Sequence, residues 1–191
     1  MYITAMKEKK QRLFFAISPS RNAQDFKPLC QLSQRLSVFG RPVPTSNVHV
    51  TLAFLGGVSS QQTEAIRRAT TRLNPPPAFT LNLDTLGYWK RSKVLWLGTE
   101  SPPPAILQLA EQLKSLAIQN GINQESRPYR PHITLAKSVI QRPASLPDNP
   151  KFSFHFDHFG LYISESVVCA GRQGVRYTCL EQWPLQPTGT R

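Results

Sequence analysis

Two short stretches of the chain carry one pattern. Val48-His49-Val50-Thr51-Leu52-Ala53 and Pro131-His132-Ile133-Thr134-Leu135-Ala136 each read His, β-branched residue, Thr, Leu, Ala. On a strand, residues two apart point the same way. His49 and Thr51 therefore share a face, with Val50 and Leu52 on the other, and His132 with Thr134 repeats the arrangement. A single His-x-Thr is ordinarily a packed or exposed bystander. Here the whole chain holds 4 histidines, and two of them occupy equivalent positions of the same pattern. That coincidence points to a shared task.

Imidazole titrates near neutrality, so of two histidines one can remove a proton while the other supplies one. Phosphoryl transfer further needs donors to the equatorial oxygens. The hydroxyls of Thr51 and Thr134, each beside an imidazole, are candidates; alone, each Thr would read as a residue of good strand propensity. No covalent nucleophile accompanies the motifs. There is no His-Glu-x-x-His, no cysteine pair at metal spacing and no Gly-x-x-x-x-Gly-Lys loop. The expected chemistry uses neither metal nor ATP nor any other cofactor, and a strained cyclic phosphodiester is a suitable target.

The elements that position these residues follow from the hydrophobic pattern. Residues 13–18 read as a strand, about 22–38 as a helix ending near Gly40, and 48–55 as the first motif strand, ended by Gly56-Gly57. Ser59 or Ser60 caps a second helix that runs to about Leu73. Phe79 to Leu86 alternates as one half-buried strand. Trp89 to Lys93 forms a hairpin turn and 94–97 the return strand. A third helix spans about 105–119, with an apolar stripe of Ile106, Leu109, Leu113 and Leu116. The second motif strand is 132–137, and Phe152-Phe154-Phe156, 161–163 and 175–180 supply the last strands. His49 follows Leu13 by 36 residues and His132 follows Leu95 by 37, each across a strand, a helix and a strand. The expected fold is α+β: a bilobal domain of two pseudo-symmetric strand–helix–strand lobes, with antiparallel sheets flanking a central cleft that sets the histidines opposite each other. The boundaries expected are a flexible N-terminus over 1–11, a single domain over 12–185 and a tail over 186–191.

Composition narrows the partners. Lys and Arg number 23 against 11 Asp and Glu, a net charge of +12, which favours polyanions. No apolar run approaches the ~20 residues needed to span a bilayer, and the start does not read as a signal peptide. Cys30, Cys169 and Cys179 show neither disulfide nor zinc spacing. A cytoplasmic protein fits these features.

Paired His-x-Thr-hydrophobic motifs are the signature of the two-histidine phosphoesterase superfamily. Within it, the stretches Gln11 to Ile17, Val48 to Gly56, Trp89 to Gly98 and Arg127 to Leu135 resemble the bacterial RNA 2′,3′-cyclic phosphodiesterases, also called 2′-5′ RNA ligases. The resemblance implies hydrolysis of a terminal 2′,3′-cyclic phosphate to a 2′-phosphomonoester. It implies His49 as proton donor to the leaving 3′ oxygen and His132 as acceptor that activates water; the sequence itself is symmetric on this point. The implied partner is RNA bearing a cyclic phosphate end, tRNA halves among the candidates. The enzyme would act as a monomer, and ATP-independent 2′-5′ joining would be a secondary activity.

Lesser candidates surround the motifs. Arg130, two residues before His132, is a candidate phosphate contact or a solvated surface residue. Tyr129 is a candidate base contact, with core packing the competing reading. Lys90, Arg91 and Lys93, between Trp89 and Trp96, form a basic–aromatic hairpin that would contact RNA or simply be a polar turn. His155 and His158, three apart on one strand, would face opposite ways and are not expected to bind metal. Two rival functions stand beside the main one: a phosphodiesterase of small cyclic nucleotides, and a phosphate-binding module without turnover.

Overall fold

The computed structural model describes residues 10–21, 23–140, 150–169 and 171–188. The first nine residues, the loop prolines Pro143 and Pro147, and residues 189–191 lie outside that set. In chain order the elements are β1 (Gln11–Ile17), α1 (Ala23–Arg35), β2 (Arg41–Pro42), β3 (Val50–Val58), α2 (Ser60–Thr71), β4 (Phe79–Leu83), β5 (Thr85–Trp89), β6 (Val94–Gly98), α3 (Pro104–Gln119), β7 (His132–Lys137), β8 (Phe152–Phe156), β9 (His158–Cys169) and β10 (Arg172–Pro184).

Seven strands form one antiparallel sheet in the order β10-β9-β1-β3-β7-β6-β5, with β2 paired to the outer part of β7. The order states the duplication. β1 and β3, joined through α1, pair with each other; β6 and β7, joined through α3, pair in the same way. The two motif strands are then neighbours, meeting at the single pair Val50–Ile133. The two halves of the repeat lie side by side in one strand order, with the motif strands at its centre.

Alternation places the apolar members of each motif on the side covered by helices. Leu13, Phe15, Val50, Leu95, Leu97 and Ile133 are buried in one cluster with Leu29 and Leu32 of α1 and Leu109 and Leu113 of α3. Burying each such side chain contributes about 1.5–3 kcal/mol. Ser33 of α1 donates to the Leu135 carbonyl at 2.7 Å, fixing that helix on β7. His49, Thr51, His132 and Thr134 stay only half-buried on the opposite face.

Several boundaries differ from expectation. β3 does not stop at Gly56-Gly57 but runs through both to Val58. Gly56 adopts φ +71° where the β1–β3 register slips, a conformation that glycine takes without strain. The alternating stretch from Phe79 is two strands. It breaks at Asp84, whose amide donates to the Gly98 carbonyl at 2.9 Å. β4 pairs with β8 in a separate two-stranded sheet, while β5 joins the main sheet. Alternation continues across the break, so periodicity cannot reveal it. His155 and His158 fall on different strands, β8 and β9, separated by Asp157. The second helix begins as expected, with Ser59 and Gln62 forming a reciprocal capping box. Gln186, expected to open the tail, is held by Pro76 and Ala78 through backbone hydrogen bonds of 3.1 and 2.8 Å.

Candidate active site

The Val50–Ile133 pair determines what surrounds it. An antiparallel register continued one residue either way sets His49 beside Thr134 and Thr51 beside His132. The two imidazoles and two hydroxyls thus occupy the corners of one patch, related by the local two-fold axis of the strand pair.

Each imidazole is held by the same device. His49 Nδ1–H donates to the Asn47 carbonyl at 2.7 Å, and His132 Nδ1–H donates to the Arg130 carbonyl at 2.7 Å. A carbonyl can only accept, so each Nδ1 carries the proton and each neutral ring presents a bare Nε2. Thr51 Oγ1 lies 2.9 Å from His49 Nε2 and donates to it. Among the described residues, His132 Nε2 has no such partner.

The walls differ. His49 stands edge-on to Tyr177, with ring centroids 5.1 Å apart, and against Phe14 at 5.0 Å. Asn47 builds that wall as well as anchoring the ring. Its buried side chain donates from Nδ2 to the Val175 carbonyl at 2.6 Å, and its Oδ1 accepts from the Tyr177 amide at 3.2 Å. His132 lies edge-on to Trp89 at 4.5 Å, and Trp89 packs on Trp96 at 5.2 Å. The Trp96 indole lies over Gly87, where a Cβ would come within 2.0 Å of the ring. Glycine is required there by close approach, not by backbone conformation.

Burial depresses the basicity of both histidines. His49 is lowered from 6.5 to about 4, by desolvation first and then by the charges of Lys137 and His132. His132 is lowered by desolvation, with the Arg127 charge adding to it. The carbonyl bonds act in the opposite sense in both cases. Both rings are therefore neutral at pH 7 in the free protein.

The other sequence candidates are placed as follows. Tyr129 packs against the core, and its hydroxyl donates to the Thr51 carbonyl at 3.0 Å, tying the lead-in of β7 to β3. Burial pushes this phenol far above its usual range. Arg130 is exposed and contributes its carbonyl to His132. Lys90, Arg91 and Lys93 are exposed at the β5–β6 turn, and the same hairpin supplies Trp89 to His132. His155 and His158 lie outside the motif patch; His158 Nδ1–H donates to Asp157 at 2.8 Å. Sequence reasoning missed Asn47, Tyr177, Phe14 and Lys137. It also missed Phe54, which pairs with Phe14, is 48% exposed and lies under the Arg12 guanidinium at 5.0 Å. Among the described residues, no group of three or more His, Cys, Asp or Glu is arranged to hold a metal ion, and no helix is long and apolar enough to cross a membrane.

Comparison with known proteins identifies the family. A family model for the 2′-5′ RNA ligase superfamily matches residues 18–167. The chain belongs to that superfamily. It is 38% identical over 175 residues to the RNA 2′,3′-cyclic phosphodiesterase of Escherichia coli, covering 92% of this chain and 97% of the relative. It is 28% identical over 146 residues to the enzyme of the same name from Thermotoga maritima, covering 72% and 77%. The crystal structure of E. coli LigT complexed with 3′-AMP superposes with a TM-score of 0.78 at 38% identity, over 92% of this chain and 98% of that one.

Proposed function

We propose that the chain is an RNA 2′,3′-cyclic phosphodiesterase in which the two histidines act directly on the substrate phosphate. The observation that carries the reading is the two-fold patch of His49, Thr51, His132 and Thr134 around Val50–Ile133. Water attacks phosphorus and gives its proton to His132 Nε2. The bond from phosphorus to O3′ breaks, and O3′ takes a proton from His49 Nε2, leaving a 2′-phosphomonoester and a free 3′ hydroxyl. The donor and acceptor roles follow the family resemblance.

The low basicity of His49 poses a problem that the substrate answers. An acid must be protonated, and the free ring is not. A phosphate anion about 4 Å from an imidazolium contributes about 4 kcal/mol at an effective dielectric constant of ~20. That is enough to lift His49 from about 4 to near neutrality. Substrate binding therefore loads the acid. The same anion acts on His132, but the two rings repel each other's charge, so a single proton is taken up; the family resemblance assigns it to His49 and leaves His132 as the base.

Thr51 and Thr134 donate to the equatorial oxygens, Thr51 exchanging His49 Nε2 for phosphate. Arg130, with Arg127 and Lys137, supplies positive potential, and the ring of Phe54 beneath Arg12 offers a stacking face for a base. Tyr129, its hydroxyl engaged, serves mainly to align the two motif strands and presents only its ring to RNA. The basic β5–β6 turn extends the cationic surface. Natural substrates on this reading are RNA ends such as those of tRNA halves, met in the cytoplasm by a monomeric enzyme that also carries out 2′-5′ joining. Incubation with an oligoribonucleotide ending in a 2′,3′-cyclic phosphate tests the proposal. Exclusive formation of the 2′-phosphomonoester supports it, and an untouched cyclic end or a 3′-phosphate product contradicts it.

A further inference from the structure

A cavity of about 280 Å³ adjoins the motif patch on the His49 side. Two residues join the two spaces. Ala16, on the cavity floor, is paired directly with Thr51, so the cavity begins one strand spacing, about 5 Å, from the motif. Tyr177 lines the cavity and also stands edge-on to His49. Further lining comes from Ser18 and Ser46, from Tyr162 and Gln182 of the β9–β10 hairpin, and from His155, Asp157 and His158 around the β8–β9 corner.

The chemistry of this lining selects among the parts of a nucleic acid. The protein carries a net charge of +12, yet no Lys or Arg lines this cavity, and one carboxylate does. The nitrogen donors nearest to cations here are the imidazoles of His155 and His158, and His158 is already hydrogen-bonded to that carboxylate, Asp157, at 2.8 Å, so a phosphate group would meet a carboxylate and no guanidinium or ammonium. Tyrosine rings, serine hydroxyls, an amide and a carboxylate suit a neutral nucleoside, whose base stacks and whose ribose hydroxyls and base edge exchange hydrogen bonds. The volume is near the lower limit for small-ligand pockets and is right for one such group. We infer that this cavity is a subsite for the nucleoside that precedes the cyclic-phosphate-bearing nucleotide of the substrate. The inference rests on the phosphodiesterase reading of the motif patch and deepens it: the enzyme recognises an oligonucleotide end and is not tuned to a lone cyclic mononucleotide.

The test compares adenosine 2′,3′-cyclic phosphate with the dinucleotide that carries one further adenosine on its 5′ side. Stacking of one additional base on an aromatic wall corresponds to about tenfold or more in affinity. The wild-type ratio of kcat/KM, dinucleotide over mononucleotide, is expected to be of that size and to arise in KM. Ser18→Phe, which fills the cavity, and Gln182→Ala, which removes its amide, should each bring the ratio to within about twofold of one, with thermal melts confirming folding. A wild-type ratio near one, or equal losses on both substrates in the variants, overturns the subsite. Failure to hydrolyse either substrate would instead sink the catalytic reading. The subsite is then judged by equilibrium binding of the dinucleoside monophosphate ApA, where equal affinity in wild type and Ser18→Phe overturns it.

Discussion

Asn47→Ala probes the link between strand pairing and catalysis. The side chain replaces a rung of sheet, donating to the Val175 carbonyl at 2.6 Å and accepting from the Tyr177 amide at 3.2 Å. Removing it leaves one backbone acceptor and one backbone donor without partners. Each orphaned buried group costs about 1–3 kcal/mol. Val175 lies on an exposed strand, so water recovers part of the loss, and a total of about 2–3 kcal/mol is expected. The Asn47 carbonyl survives, so His49 keeps its tautomer. What changes is the Tyr177 wall: water reaches the ring, and its pKa rises from about 4 toward 6.5. Urea denaturation reads the first effect and NMR titration of the His49 ring reads the second. Asn47→Asp sharpens the test, because it keeps an acceptor for Tyr177 but sets a carboxylate against the Val175 carbonyl; it should be no more stable than Asn47→Ala. An Asn47→Ala variant with wild-type stability and an unchanged His49 titration would show that Asn47 neither braces the β10 edge nor shields the ring.

Three further outcomes follow from the same geometry. Tyr129→Phe removes the hydroxyl that ties β7 to the Thr51 carbonyl; it should cost about 1 kcal/mol in denaturation and lower kcat several-fold with little change in KM. Because the folded-state pKa of His49 is depressed, the unfolded chain binds the extra proton more readily. Stability should fall as pH drops from about 6.5 toward 4, and His49→Gln should flatten that part of the curve. Turnover should persist after treatment with EDTA and dialysis, since the proposed proton transfers use two imidazoles alone; abolition restored by a divalent cation would contradict the mechanism.

Duplication made the reactive patch legible. His-x-Thr fixes a shared face by strand alternation, and its recurrence after a strand and a helix in each half discloses the two lobes. Apolar stripes at Ile106, Leu109 and Leu113, and the Ser59 cap, likewise mark their helices directly. Other features leave no such trace. The meeting of β3 and β7 at one pair is a matter of tertiary register. The switch at Asp84 interrupts no periodicity. The carbonyls that orient both imidazoles come from Asn47 and Arg130, and a backbone carbonyl is the same whatever side chain it carries. Asn47 acts on residues 128 and 130 positions away, beyond the reach of local pattern. The Gly87 requirement is set by an indole from the neighbouring strand.

The most direct measurement is single-turnover hydrolysis of an oligoribonucleotide with a 2′,3′-cyclic phosphate end by wild type, His49→Ala and His132→Ala, each checked for folding. Loss of general acid or base catalysis corresponds to about 10²–10⁴-fold. A loss of that size is expected in each single variant, with the double variant little worse, because the two rings serve one phosphorus. Near-wild-type turnover in either single variant would contradict it.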